Sequence, residues 1–163
     1  MRNIAVIEDK IFTLPTLIHR AFAWKITGKT VAFTNGVFDL LHEGHIYSLS
    51  QAAKEADFLI VGMNADSSVK RLKGENRPVN NEQSRALILA SLLIVDAVII
   101  FEEDTPQQLI SALLPDVLVK GGDYTIDTIV GAKEVMANGG RVVINPVVEG
   151  FSTTKIIGKM QKS

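Results

Sequence analysis

Short apolar, β-branched segments alternate with helical segments along most of this 163-residue chain. The predicted strands are continuous apolar runs, which is typical of strands buried on both faces of a parallel sheet. They cover residues 31–34, 58–63, 97–101, 117–120 and 141–145. The pattern therefore predicts an α/β fold, a doubly wound parallel sheet of five strands with helices on both faces.

Helical spacing of apolar residues predicts the segments that connect these strands. Thr105 before Pro106 is typical of an N-cap followed by proline at the first helical position. Asn138-Gly139-Gly140 indicates the end of a helix. The predicted helices cover residues 43–55, 82–93, 106–113, 127–137 and 153–161.

Residues 1–28 are predicted to form an N-terminal helical extension, packed on a single domain that spans residues 1–163. Its helix begins at Thr13-Leu14-Pro15 and ends near Ile26, because Leu14 and its apolar successors recur at helical spacing. The region from Lys70 to Gln83 is polar and turn-prone, so we expect a long loop there. Long loops inside compact domains are often functional.

The amino-acid composition excludes several kinds of site. The chain has no cysteine, so it holds no disulfide, thiolate nucleophile or thiolate metal ligand. A net charge of −1 gives no overall attraction to nucleic acid, and no apolar stretch approaches the length of a membrane span. We therefore expect neither nucleic acid nor a membrane as partner, and the lack of cysteine fits a cytoplasmic protein.

Two histidines lie where the first predicted strand passes into a helix. His42 and His45 are three residues apart, which places them on roughly one face of the first helical turn. Phosphates bind at such junctions in open α/β folds, because free backbone N–H groups and the helix dipole point there. Gly36 and Gly44 allow the backbone to approach a ligand closely. The turn therefore predicts phosphoryl or nucleotidyl chemistry; ordinary surface or capping histidines are the alternative.

Two further residues of this turn are predicted to shape it. Phe38 is expected to pack beneath the turn, and Asp39 is expected to bond backbone N–H groups and hold the loop.

Basic residues follow the second predicted strand, at the same edge of the sheet as the histidine turn. Four cations fall between Lys70 and Arg77, and Lys73 is the best single candidate for a phosphate ligand. A solvated basic loop is the alternative. Arg85 lies in the first turn of the next helix, where a cation costs a few tenths of a kcal/mol, on the order of 0.3, unless an anion balances it. That conflict indicates a bound anion, with an exposed capping-region arginine as the alternative.

Two more segments are predicted to lie at the carboxyl-terminal edge of the sheet, beside the histidine turn. Gly121-Gly122, between Lys120 and Asp123, allows unusual backbone angles and close approach to a flat base. Ser152-Thr153-Thr154 opens the last helix, where hydroxyl and backbone donors cap a helix or hold a phosphate.

Together these motifs resemble a known family. The pattern Asn-Gly-x-Phe-Asp-x-x-His-x-Gly-His, from Asn35 to His45, resembles the signature of the HIGH-motif nucleotidyltransferase superfamily, and Ser152-Thr153-Thr154 resembles its second phosphate-binding motif. From about residue 20 to residue 160, the chain is similar to the adenylyltransferase domain of bifunctional heptose kinase/adenylyltransferases, without the kinase half. The segments that carry this resemblance are residues 69–74, 77–80, 101–106, 114–116, 118–124 and 149–154.

The resemblance implies a Rossmann-like fold of the nucleotidyltransferase type and a stand-alone adenylyltransferase. The implied reaction transfers AMP from ATP to D-glycero-β-D-manno-heptose 1-phosphate and gives ADP-heptose, a precursor of the lipopolysaccharide core, and pyrophosphate. It also implies that Mg²⁺ accompanies ATP without dedicated protein ligands and that the chain forms a homo-oligomer.

The resemblance assigns a role to each matching residue. His42 and His45 are implied to donate to phosphate oxygens, and Lys73, with Arg85, to hold the β- and γ-phosphates. Val37 replaces the cysteine or threonine usual in the superfamily, so only its backbone N–H is expected to serve. The implied nucleotide-binding residues are Asn35, Gly36, Val37, Phe38, Asp39, Gly44, Arg85, Lys120, Gly122, Asp123, Ser152, Thr153 and Thr154.

Two other functions remain open from the sequence. A cytidylyltransferase of the same fold, acting on glycerol 3-phosphate or another alcohol phosphate, would use the same histidines and basic loop. A non-catalytic nucleotide-binding module is the second alternative, although such a protein would be expected to lose a histidine or the lysine loop.

Overall fold

The sheet is the organising element of the computed structural model, which describes residues 7–146 and 153–160. Six parallel strands are hydrogen-bonded in the order β1-β4-β3-β2-β5-β6. The α/β class, the parallel sheet and the five predicted strands are confirmed. The strands are β1 (Ile11–Phe12), β2 (Val31–Gly36), β3 (Phe58–Asn64), β4 (Ala97–Phe101), β5 (Val117–Gly121) and β6 (Arg141–Asn145).

The sequence missed one strand and shortened three others. The edge strand β1 has two residues, which is too short to show a periodic pattern. The strand β2 continues through Asn35 and Gly36, which pair with Gly62 and Met63 of β3. Polar residues end the apolar run but not the backbone ladder, because the ladder uses main-chain groups.

Helices cover both faces of the sheet, as predicted. On one face α1, α5 and α6 pack over side chains such as Phe33 and Ile60. On the other, α2 and α4 pack over side chains such as Ala32 and Leu59. The helices are α1 (Leu14–Ile26), α2 (Glu43–Ala53), α3 (Asp66–Lys73), α4 (Glu82–Ser91), α5 (Gln107–Leu113), α6 (Ala132–Ala137) and α7 (Thr153–Met160).

Two helix predictions were wrong in physically clear ways. The single helix predicted over residues 127–137 is a 3₁₀ turn, Ile126–Thr128, followed by α6. Gly131 separates them because its φ of +83° is left-handed, and a Cβ there would lie 2.6 Å from Ile110. The loop predicted from Lys70 to Gln83 begins with the end of α3, a helix whose one buried apolar side chain is Val69.

Smaller differences concern helix ends. Pro106 is the N-cap residue of α5, so the helix begins one residue later than predicted. The predicted C-terminal residue of the last helix, Gln161, lies outside the described residues.

Aspartates fix the amino-terminal edge of the sheet. Each of three carboxylates lies one residue before a strand: Asp57, Asp96 and Asp116. Each accepts a hydrogen bond of 2.8–2.9 Å from a backbone N–H at the start of a neighbouring strand; the donors are Thr30, Leu59 and Val31, respectively. The Thr30 backbone N–H, together with Lys29, lowers the pKa of Asp57 to about 2, whereas burial raises the pKa of Asp96. These carboxylates are engaged in structure, so the chemistry-bearing residues are those of the opposite, carboxyl-terminal edge.

Within residues 7–146 and 153–160, no helix is both long and apolar enough to cross a membrane.

Candidate active site

A two-lobed cleft opens at the carboxyl ends of β2, β3 and β5. Its larger lobe has a volume of about 470 Å³ and its smaller lobe about 210 Å³. Both lobes are lined by Asn35, Gly36, Val37 and Gly121, which therefore form the junction between them. Lys73 and Lys120 line only the larger lobe, and His45 lines only the smaller one.

The two histidines lie together at the beginning of α2. His42 is the N-cap residue, and its backbone N–H donates to Nδ1 of His45 at 3.4 Å. The two ring centroids are 3.9 Å apart, and the Phe38 ring lies 5.4 Å from that of His45. Because Nδ1 of His45 accepts a hydrogen bond, its proton in the neutral form is carried by Nε2. The histidines thus cap the helix while His45 also presents a donor to the cleft.

Burial sets the charge state of this pair. It lowers the pKa of His45 to about 4, with a further lowering by the nearby charge of His42. Burial also lowers the pKa of His42. At neutral pH both rings are therefore neutral before a ligand binds. A neutral imidazole keeps one N–H donor, and that of His45 can donate to a phosphate oxygen in the smaller lobe.

The strand-to-helix turn is shaped by Gly36 and Phe38. Phe38 has a φ of 49°, unusual for a residue with a side chain, and is buried beneath the turn as predicted. A Cβ at position 36 would lie 3.0 Å from the Phe38 ring. A side chain at position 36 would therefore crowd the Phe38 ring, whereas glycine leaves the backbone open to the cleft that residues 35–37 line.

Asp39 joins this turn to the loop that precedes α4. Its carboxylate is 2% exposed and accepts Nε of Arg77 at 2.6 Å and the backbone N–H groups of Val79 and Asn80 at 2.7 and 3.1 Å. The prediction that Asp39 bonds backbone N–H groups and holds a loop is confirmed. Because these donors occupy the carboxylate, we assign Asp39 a structural role in place of the implied contact with nucleotide.

Arg85 is buried among four segments of the chain. Its guanidinium donates to the carbonyl oxygens of Val37, Asn64 and Asn80 at 2.6, 2.9 and 3.0 Å, and to Asp66 Oδ1 at 2.6 Å. The side chain has no exposed surface. The anion that balances this cation is therefore Asp66. We correct the implied phosphate contact of Arg85 to a structural role, since no phosphate reaches the guanidinium in this arrangement.

Two lysines supply positive charge to the larger lobe. Lys73 is the last residue of α3, and Lys120, near the end of β5, donates through Nζ to Asn35 Oδ1 at 3.0 Å. Arg71, Arg77 and Arg85 are paired with carboxylates, whereas neither lysine takes part in an ion pair of the described residues. Of the cations that line the cleft in the described part of the chain, these two lysines are the ones without a carboxylate partner.

Several implied site residues do not line either lobe. Gly121 lines the cleft, whereas the predicted Gly122 and Asp123 do not. Gly44 lies in the first turn of α2 away from both lobes. Thr153 donates to the Leu40 carbonyl at 3.4 Å, and Thr154 is exposed. Ser152 lies outside the described residues, so its predicted role stays a prediction.

Sequence reasoning also missed part of the lining. Asn64 ends β3, and Thr105 and Pro106 follow β4, so the rule that ligands bind at the carboxyl ends of strands could have found them. Leu72 and residues 128–130 carried no such signal, because the helix and 3₁₀ turn that place them were not predicted.

The described residues hold no group of three His, Asp or Glu side chains that could bind a metal ion. Among the described residues, Asp104 is the one carboxylate that lines the cleft, and it is already paired with Arg71 at 2.8 Å.

Replacing Asp39 tests the scaffold of this site. We expect Asp39→Asn to lower the free energy of unfolding by about 3 kcal/mol, because it leaves Arg77 partly buried without its anion. The matched control is Asp104→Asn, whose ion pair is about half exposed and should contribute less than about 1 kcal/mol. Urea unfolding measures both; equal losses would contradict the structural role of Asp39.

The lowered pKa of His45 predicts an acid-dependent loss of stability. The unfolded chain binds a proton at His45 below about pH 6.5, whereas the folded chain does so only near pH 4. The free energy of unfolding should therefore fall as pH drops through this window. The fall should be smaller in His45→Gln than in the wild type or in His19→Gln, an exposed histidine on α1. Parallel pH profiles for all three proteins would refute the buried, neutral His45.

A family model and similar curated proteins both identify this chain as related to nucleotidyltransferases. The model of the cytidylyltransferase-like family matches residues 33–159. Bifunctional protein HldE from Mesorhizobium japonicum is 54% identical over 154 residues, which cover 94% of this chain and 31% of that protein. The HldE of Koribacter versatilis is 50% identical over 157 residues, 96% of this chain and 32% of that protein. The chain thus spans about a third of the length of these curated relatives.

Solved structures agree with this fold. The lipopolysaccharide core biosynthesis protein of Thermoplasma volcanium is 29% identical, with a TM-score of 0.59, over 74% of this chain and 98% of that one. A pantoate-beta-alanine ligase from Francisella tularensis also has a TM-score of 0.59, over 94% of this chain and 78% of that one. It is 16% identical, so it shows similarity of fold alone. With its parallel sheet, its histidine turn and the match over residues 33–159, the chain belongs to the cytidylyltransferase-like family.

Proposed function

We propose that the chain is an adenylyltransferase that transfers AMP from ATP to D-glycero-β-D-manno-heptose 1-phosphate, giving ADP-heptose and pyrophosphate. The observation that carries this proposal is the meeting of a neutral histidine donor and two uncompensated lysines at one cleft, around the backbone of residues 35–37. The choice of substrates is supported by the motifs that resemble heptose adenylyltransferases and by the 50–54% identity to proteins named HldE.

The reaction needs no protein nucleophile. An oxygen of the sugar 1-phosphate forms a bond to the α-phosphorus of ATP, the bond from that phosphorus to the bridging α–β oxygen breaks, and pyrophosphate leaves with the bonding electron pair. Catalysis then consists of positioning the two anions and stabilising the charge that develops on the phosphoryl oxygens. The cleft is suited to both tasks, because its donors are fixed by the fold before the substrates bind.

The chain's residues divide these tasks. His45 donates through Nε2 to a phosphoryl oxygen, and His42 supports it by fixing the ring through its backbone N–H. The backbone of residues 35–37 lies beside the reacting phosphate. Lys73 holds the β- and γ-phosphates of ATP, while Arg85 and Asp39 keep the surrounding loops in place.

Mg²⁺ accompanies ATP in this proposal and neutralises part of its triphosphate charge. Magnesium keeps several waters and often needs only one or two carboxylates beside phosphate oxygens. Asp104 is a carboxylate that lines the cleft, and because it is paired with Arg71, phosphate oxygens and water would supply most of the ligands.

The cellular setting and assembly of the protein also belong to this proposal. We place the reaction in the cytoplasm, where ATP is available, and expect neither nucleic acid nor membrane to be required. Self-association, expected from the family resemblance, stays a prediction. The outer face of α4 is one surface on which to test it, since Leu87, Ile88 and the following Leu93 are exposed there.

A substrate panel tests the proposed reaction. The wild type, supplied in turn with ATP or CTP and with heptose 1-phosphate or glycerol 3-phosphate, should release pyrophosphate with ATP and heptose 1-phosphate. His45→Gln should turn over at least about a hundredfold more slowly, because a charge-stabilising donor is lost. His19→Gln, the surface control, should match the wild type. Release confined to CTP and glycerol 3-phosphate would favour the cytidylyltransferase alternative, and no release would favour a binding module.

A further inference from the structure

The helix α3 is anchored differently at its two ends. At its amino end, the Asp66 carboxylate accepts a hydrogen bond from the buried Arg85 guanidinium at 2.6 Å, and the Asp66 backbone N–H donates to Glu82 Oε2 at 2.8 Å. In the middle of the helix, Val69 is fully buried. At the carboxyl end, residues 70–73 are exposed. One end of α3 is therefore fixed in the interior, whereas the other depends on contacts at the surface.

The exposed end of α3 carries the lysine that the proposed reaction uses. Lys73, the last residue of the helix, and Leu72 both line the larger lobe. The loop after β4 contributes Asp104, Thr105 and Pro106 to the same lobe. The distance between the end of α3 and this loop therefore sets the width of the lobe and the position of the Lys73 ammonium group.

Arg71 joins the helix to this loop. Its Nε donates to Asp104 Oδ1 at 2.8 Å, and its Nη2 donates to the backbone carbonyl of Glu102. Apart from bonds within the helix, these are the hydrogen bonds that join the last three residues of α3 to the rest of the described chain. One turn earlier, the buried Ser68 hydroxyl donates to the Glu103 carbonyl at 3.0 Å. Arg71 thus makes the outermost contact of a helix that is bonded to three successive loop residues.

The geometry of this contact suits an arginine. A guanidinium is planar and presents several donors in a fixed arrangement, so it can bond a carbonyl and a carboxylate at the same time. The carbonyl of Glu102 follows directly after β4, a strand of the sheet, and is therefore a fixed acceptor. Arg71 is not among the described residues that line either lobe. Its influence on a substrate would therefore pass through the helix.

The ion pair of Arg71 and Asp104 is too exposed to contribute much to overall stability. About half of each side chain is accessible to solvent, and exposed pairs of this kind are screened by water and salt. Its effect is local, because it restrains the end of a short helix whose one buried apolar side chain is Val69. Segments with few buried apolar contacts open locally at a small cost in free energy.

We propose that Arg71 is a positioning residue, whose bonds to Glu102 and Asp104 hold the end of α3 so that Lys73 meets the triphosphate of the nucleotide. This inference rests on the proposed function for the ligand of Lys73. It also separates two neighbouring cations by task. Lys70, the residue before Arg71, is exposed and forms no ion pair among the described residues.

Calorimetric titration of ATP into the protein tests this role. Lys73→Met should raise the Kd for ATP at least about tenfold, the usual loss for one charged hydrogen bond to phosphate. Arg71→Met keeps the apolar stem and should raise the Kd by a smaller factor, at least about threefold. The double variant should bind no more weakly than Lys73→Met, because Arg71 acts through that lysine. Arg71→Lys, which can bond one of the two acceptors, should recover part of the loss.

Lys70→Met is the matched control, since it removes the same charge from the preceding residue of the same helix. Its Kd for ATP should stay within about twofold of the wild-type value, as for other surface substitutions. Equal losses in Lys70→Met and Arg71→Met would mean that only charge matters. Additive losses in the double variant would mean that Arg71 acts independently of Lys73. Either result would overturn the proposal.

Hydrogen exchange without any ligand tests the contact itself. The Gly74 backbone N–H donates to the Lys70 carbonyl at 2.9 Å and so reports on the last turn of α3. In Arg71→Met and in Asp104→Ala, the amides of residues 71–74 should exchange about threefold faster or more, whereas that of Val69, nearer the anchored end, should not change. Thermal unfolding establishes that each variant is folded. Unchanged exchange over residues 71–74 would contradict the proposed restraint.

These measurements separate a failure of the inference from a failure of the proposed reaction. If ATP binding and hydrogen exchange respond to Arg71 as expected but no ADP-heptose forms, the reaction is refuted and the positioning role stands. If ADP-heptose forms and the KM for ATP is the same in the wild type and Arg71→Met, the positioning role is refuted and the reaction stands.

Discussion

A buried guanidinium holds the reacting edge of this fold together. Arg85, on α4, joins the carbonyl oxygens of Val37, Asn64 and Asn80, and Asp66 supplies the balancing charge. Removing one partner of such a pair leaves an uncompensated charge in the interior, which is strongly unfavourable. The turn after β2, the end of β3 and the loop before α4 are therefore held in one arrangement, and the cleft between them is formed before any substrate arrives.

This preorganisation explains how a chain of nearly zero net charge handles two polyanionic substrates. The arginines near the cleft form ion pairs with carboxylates and stabilise the fold. Lys73 and Lys120 line the cleft and form no ion pair among the described residues, so their positive charge is available to a substrate. The neutral His45 adds a directed donor without adding charge to the unliganded protein. Charge is thus concentrated at the place where phosphoryl transfer would occur, in keeping with catalysis by positioning and electrostatics.

The sequence predicted the sheet, its helices and the location of the histidine turn, because apolar periodicity and strand-end motifs are local signals. It could not predict the partners of Arg85 and Asp39, since those partners come from segments distant in the chain and the choice depends on packing. The helix α3 and the strand β1 were missed for a different reason. The sequence of α3 is mostly polar and β1 has only two residues, so neither shows an apolar period. The misassigned arginine followed from a correct observation: a cation in the first turn of α4 does need an anion, which Asp66 provides.

The stereochemistry of transfer tests the central claim most directly. The account has one in-line displacement at the α-phosphorus, with no covalent intermediate on the protein. With ATP carrying a chiral phosphorothioate at the α-position, the account predicts ADP-heptose with inverted configuration at that phosphorus. Retention would indicate two successive displacements through a nucleotidylated residue, and it would contradict the account.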